Sequence, residues 1–173
     1  MKNLKLFVAV LVFVGSGLGQ AQNPTGQSTA AGAAFERLKF LAGEWGGTAN
    51  EGGKEIPTTT PFHLASDSSV LMDVLVAGTP HEMVTMFHMD GGDLLATHYC
   101  AAHNQPRFRL VSTPDPNVMA FEFKDATNLP SPSAPHMVGV RLTLVDPNHH
   151  VEEWTFFANG QTSTRRFDFH RKQ

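Results

Sequence analysis

His98 and Cys100 stand two residues apart in a stretch that reads as a strand, so their side chains share one face. A soft metal could use that pair, and haem could take either residue as an axial ligand. The plainer reading is a buried histidine bonded to a neighbour such as Thr85, beside an inert core cysteine. No third ligand at metal spacing lies nearby, so no metal centre is expected. His149-His150 with Glu152-Glu153 again offers two ligands at most, His150 and Glu152 on one face, and reads more simply as a polar strand entry. Asn104, Gln105 and Arg107 follow the His98 strand in a loop that Pro106 stiffens. They could present hydrogen-bond donors at a barrel mouth, with Arg107 taking a carboxylate bidentately, or form an ordinary solvated loop.

Catalytic motifs are missing from the sequence. There is no Gly-x-Ser-x-Gly elbow and no His-Glu-x-x-His helix, and the lone cysteine has no context that would lower its pKa. Asp90-Gly91-Gly92-Asp93 lacks the spacing and terminal glutamate of a calcium loop and reads as a hairpin turn. No catalytic residue is therefore assigned. The groups expected to orient a ligand are His98, Tyr99, Cys100, Asn104 and Arg107.

Strands must position these groups. From Trp45 onward, short runs rich in Val, Thr, Phe and Leu alternate with Gly, Pro, Asn and Asp every eight to twelve residues. Strands are expected near 45–50, 58–65, 69–76, 82–89, 93–100, 106–112, 118–123, 136–145, 150–158 and 161–170. That spacing, with no second long helical segment, predicts an all-β sandwich or barrel. Phe35, Leu38 and Leu41 suit a two-turn helix over 35–41 that Gly43 ends.

Two hairpins can be read in register. Asn159-Gly160 suits a type I′ turn, because both residues tolerate φ > 0. Pairing outward sets Phe156 opposite Ser163, Trp154 opposite Arg165, Glu152 opposite Phe167 and Glu153 opposite Arg166. Trp154, Phe156, Phe167 and Phe169 then share an interior face that also carries Arg165, while Asp168 and His170 fall on the other. Around Gly91-Gly92 the register sets Phe87 opposite Ala96, Thr85 opposite His98 and Met83 opposite Cys100. Both faces of that hairpin are mixed, so alternation does not choose its interior. A ligand-lining strand and an edge or dimer strand would look the same.

Residues 1–21 read as a secretory signal peptide: Lys2 and Lys5, then nine apolar residues from Leu6 to Val14, then Gly19 and Ala21 at the small-residue cleavage positions. Nine residues span about 14 Å as helix, roughly half a bilayer core, so cleavage is favoured over a permanent anchor. The chain is expected to be secreted or periplasmic, with no membrane association after cleavage. Residues 22–34 read as a flexible leader and 35–173 as one domain. Without Lys2 and Lys5 the chain keeps 11 basic against 16 acidic residues, a net charge of −5. No basic stripe appears, which argues against nucleic acid as a partner. A single cysteine allows no internal disulfide, so stability must come from burial.

Leu41-Ala42-Gly43-Glu44-Trp45 followed by Gly46-Gly47 resembles the Gly-x-Trp start of lipocalin-like (calycin) barrels. The resemblance implies an up-and-down barrel of about 8–10 strands, closed by a short N-terminal helix, with a first-strand Trp at the floor and a last-strand Arg over the indole. Trp45 and Arg165 are the residues here that would play those parts. Phe40-Leu41-Ala42-Gly43-Glu44-Trp45 is also similar to the opening of nitrobindin-type haem-binding barrels, whose axial histidine lies near the C-terminus. The nearest match is His170, which the hairpin register turns away from Phe167 and Phe169. Residues 97–102 with Asn104-Gln105-Pro106-Arg107 resemble an uncharacterised group of secreted bacterial lipocalin-like domains, over roughly 36–171. The leading expectation is a protein that binds a small, largely apolar ligand. The alternatives are a haem protein or enzyme of nitrobindin type, and an interaction module with a filled barrel and a homodimeric strand edge.

Overall fold

The computed structural model describes residues 29–111 and 113–173. The signal-peptide reading and most of the leader lie outside them. A helix, α1 (Ala30–Leu38), runs into a single 3-10 turn at Lys39–Leu41. Ten strands follow: β1 (Gly43–Glu51), β2 (Lys54–Ala65), β3 (Val70–Leu75), β4 (Met83–Asp90), β5 (Asp93–Tyr99), β6 (Gln105–Val111), β7 (Val118–Thr127), β8 (His136–Asp146), β9 (His149–Ala158) and β10 (Gln161–Arg171). Each pairs antiparallel with its sequence neighbours and β1 closes on β10, so of the sandwich and barrel that the strand spacing allows the chain forms a closed ten-stranded barrel. Closure leaves no free strand edge among the described residues.

Both hairpins have the expected register. Trp154 faces Arg165 and Glu152 faces Phe167 across the β9–β10 turn, where Asn159 and Gly160 have φ of +53° and +74°. Thr85 faces His98 and Phe87 faces Ala96 across β4–β5, and these four are buried. The interior face of that hairpin, which alternation left open, is therefore the Thr85–His98 face. Tyr99 points outward. The ladder ends at Val84↔Tyr99, so Cys100 lies beyond it instead of pairing with Met83.

The helix begins five residues earlier than expected and takes in residues 30–34 of the expected leader. Thr29 caps it by accepting from the Gly32 N–H at 3.1 Å, and Ala30, Ala31, Ala33 and Ala34 are good helix formers. Ala34, Phe35, Leu38 and Leu41 are buried where the helix closes one end of the barrel. At that end the indole N–H of Trp45 donates to the Leu41 carbonyl at 2.7 Å. The arginine over this indole is Arg171, not Arg165. Trp45 and Arg171 are register partners, the guanidinium lies 4.2 Å from the ring, and it also donates to the Ala42 and Phe40 carbonyls. Arg165 stands six residues back along β10, about 20 Å away, at the open end of the barrel.

Where β1 and β10 meet, Gly47 lets the backbones approach closely. A Cβ there would stand 1.8 Å from the Asp168 carbonyl oxygen.

Candidate functional site

Ten strands enclose more space than their side chains fill at one end. The open end holds a cavity of about 740 Å³, within the usual range for small-molecule sites. Leu75, Met83, Met137, Phe156 and Phe167 supply its apolar walls, and Trp154 forms part of its floor. Its polar rim includes Glu51 and Arg165, which form an ion pair at 2.9 Å. Alternation along β9 and β10 explains why Trp154, Phe156, Arg165 and Phe167 all turn inward.

Below Trp154 the barrel is packed and polar groups are enclosed. The indole N–H donates to Glu152 Oε2 at 2.8 Å, and Glu152 Oε1 lies 3.1 Å from His150 Nε2. On the opposite wall Thr60 donates to Asp73 Oδ1 at 2.5 Å. Thr60, Asp73, His150 and Glu152 are all inaccessible to solvent. His150 stacks edge-on against Trp45, with ring centres 4.4 Å apart. His98 lies 4.7 Å from the Trp154 ring and shares a hydrogen bond with Thr85 at 3.0 Å, the partner expected for a core histidine.

Burial sets the charge of these groups. It pushes the Glu152 carboxyl up to about 7, and the Trp154 hydrogen bond offsets only part of that rise. It raises Asp73 well above the usual carboxylate range, with the Glu152 charge adding to the effect. It lowers His98 to about 4 and His150 to about 3. His150 and Glu152 therefore meet as neutral groups in mildly acidic solution, not as an ion pair. The Glu152 hydroxyl donates to Nε2 of His150 while its other oxygen accepts from Trp154. Asp73 Oδ2, His98 Nε2 and His150 Nδ1 are buried without a protein partner. Such atoms require water or a polar guest.

The five expected ligand groups do not converge. Cys100 lines the cavity, its thiol pKa raised by burial, which keeps it a neutral thiol. His98 is sealed beneath Trp154 and does not reach the cavity lining. Tyr99 is 49% exposed on the outer face, because it follows His98 by one residue on the same strand. Asn104 is buried in the β5–β6 loop, where its side-chain N–H donates to the Pro135 carbonyl at 2.8 Å. Arg107 points outward, and the carboxylate its fork takes is that of Asp125, at 2.5 and 2.7 Å. Arg165, expected at the barrel floor, belongs to the mouth.

Sequence reasoning missed Asp73 and the depth of His150 and Glu152. The signal for Asp73 was present: one acid inside Val70-Leu71-Met72-Asp73-Val74-Leu75, in phase with Leu71 and Leu75. An in-phase acid on an otherwise apolar strand face is a buried acid.

No family model and no curated protein matches the chain. Among solved structures, the crystal structure of Rv2717c from M. tuberculosis is similar, with a TM-score of 0.53 and 16% sequence identity. The match covers 81% of this chain and 98% of that one. At this identity the likeness is one of barrel fold alone.

Proposed function

We propose that this chain is an exported small-molecule-binding protein of lipocalin-like build, holding a largely apolar ligand in the open-end cavity. The observation that carries the reading is the 740 Å³ space walled by Leu75, Met83, Met137, Phe156 and Phe167. Burial of ligand surface there contributes about 25 cal/mol per Å². Trp154 offers an aromatic floor, and the Arg165–Glu51 pair at the rim offers a cation and an anion to a polar ligand end. Export rests on residues 1–21. The lipocalin-like build is supported by Arg171 over Trp45 beside the helix at the closed end.

The nitrobindin-type haem reading depends on an axial histidine. His98 lies beneath the floor and His170 lies on the outer face, so the imidazole among the cavity-lining residues is that of His81, in the β3–β4 loop. No strand histidine supports the haem alternative.

Organic extraction of the protein after native purification, followed by mass spectrometry, tests the proposal. The expected result is a predominantly apolar molecule that leaves on extraction and rebinds at one site per chain. Failure of every extracted molecule to rebind the stripped protein would overturn it.

A further inference from the structure

We propose that the outer face of the β9–β10 hairpin, at the closed end of the barrel, is a divalent-cation site formed by His149, Asp168 and His170. The site is separate from the cavity and does not rest on the ligand-binding reading.

The three residues come together through cross-strand register. His149 and His170 are direct partners in the β9–β10 ladder, and Asp168 precedes His170 by two residues on the same face. His149 Nε2 lies 2.8 Å from Asp168 Oδ1, and His170 Nε2 lies 3.6 Å from the same oxygen. One ligand atom from each residue fits within 4.8 Å of the other two. The two imidazoles stack with centres 4.3 Å apart and planes 19° apart, so both rings present edges toward the carboxylate. Tetrahedral coordination at zinc bond lengths places neighbouring ligand atoms about 3.3–3.5 Å apart. The observed spacings bracket that value, and small side-chain rotations suffice to reach it.

The surroundings favour one coordination mode. Arg166 donates to Asp168 Oδ2 at 2.7 Å, which orients the carboxylate and keeps Oδ1 facing the two imidazoles. Glu55 lies within electrostatic reach of both Asp168 and Arg166, so its charge counters the guanidinium. His149 and Asp168 are half-buried on rigid strands and His170 is exposed. Solvent can therefore complete the shell, giving two nitrogens, one oxygen and water. That donor set suits borderline metals, zinc first, over calcium or magnesium, which prefer all-oxygen shells. The pair His150–Glu152, on the opposite face of β9, contributes nothing to it.

The test is calorimetric titration of the full chain, without a histidine tag and stripped by chelator, with zinc chloride. Cobalt absorption provides a second readout of coordination geometry. One zinc per chain is expected, in the micromolar range, with visible cobalt bands of a four-coordinate nitrogen–oxygen shell. His149→Ala, Asp168→Asn and His170→Ala should each weaken binding by about tenfold or more. His63→Ala, which alters an exposed histidine elsewhere, should leave it unchanged. All three ligands lie on the outer face, and unchanged circular dichroism confirms that each variant is folded. No zinc binding by the wild-type chain, or undiminished binding by the folded His149→Ala/His170→Ala double variant, would overturn the proposal.

Discussion

The indole N–H of Trp154 donates to the carboxyl of Glu152 at 2.8 Å, joining the floor of the open cavity to a carboxyl sealed inside the barrel. The ring that a ligand would meet is thus held from below by an acid that solvent does not reach. Because burial keeps this carboxyl protonated up to about pH 7, an amide should replace it well. Glu152→Gln retains an acceptor for Trp154 and a donor for His150, and should alter stability at pH 6 by less than about 1 kcal/mol. Glu152→Ala strands both partners and opens a void, and should cost about 2–5 kcal/mol. Urea denaturation of the two variants measures the difference.

The same burial gives stability a pH dependence with two limbs. Glu152 has a folded-state pKa of about 7 against an ordinary 4.5, so its contribution is complete below 4.5 and is lost as pH rises through 7. Asp73 shifts in the same direction. His98 and His150, lowered to about 4 and about 3 from 6.5, contribute fully above 6.5 and lose that contribution as pH falls through those values. Melting temperature should therefore be greatest in mildly acidic solution and fall on both sides. In Glu152→Gln the alkaline fall should shrink while the acid fall persists. An unchanged alkaline limb would show that Glu152 is not its source.

Arg171 and Arg165 should separate stability from ligand contact. Arg171→Ala removes the cation over Trp45 and the donors to the Pro147, Ala42 and Phe40 carbonyls, and should cost about 1–3 kcal/mol. Arg165→Ala breaks a half-exposed ion pair with Glu51 and should cost less than about 1 kcal/mol. Thermal denaturation of both variants checks the order, which would reverse if Arg165 were the residue that closes the barrel.

Gly47 tests how β1 and β10 close. A Cβ at this position meets a backbone carbonyl that cannot turn aside, so Gly47→Ala should force the strands apart. The expected loss is about 1–3 kcal/mol, comparable to overpacking a core. Gly91→Ala has open space around its Cβ, but its φ of +58° adds strain at an exposed turn. Comparing the two by denaturation separates crowding at the seam from strain in a turn.

Local signals in the sequence carry most of the barrel and little of its site. Alternation and turn residues place all ten strands, and Asn159-Gly160 sets the β9–β10 register through to His170. The β1–β10 seam joins residues more than a hundred positions apart with no turn to define its pairing. Arg165 and Arg171 both lie on the inward face of β10, so alternation alone could not say which reaches Trp45. Tyr99 was hard to place for a related reason: with both faces of the His98 strand mixed, the inward side becomes clear only once the neighbouring strands are in place, while Arg107, expected in a loop, lies on β6. Asp125 is brought to Arg107 by the β6–β7 ladder, whose register shifts beside Arg107.

Titration with 1-anilinonaphthalene-8-sulfonate, an apolar fluorophore with one anionic end, tests the cavity most directly. The wild-type chain should give saturable, one-site fluorescence enhancement, and Phe156→Asp, which places a charge on the cavity wall, should abolish it while circular dichroism stays native. No saturable enhancement in the wild type, or the same enhancement in folded Phe156→Asp, would contradict ligand binding in this barrel.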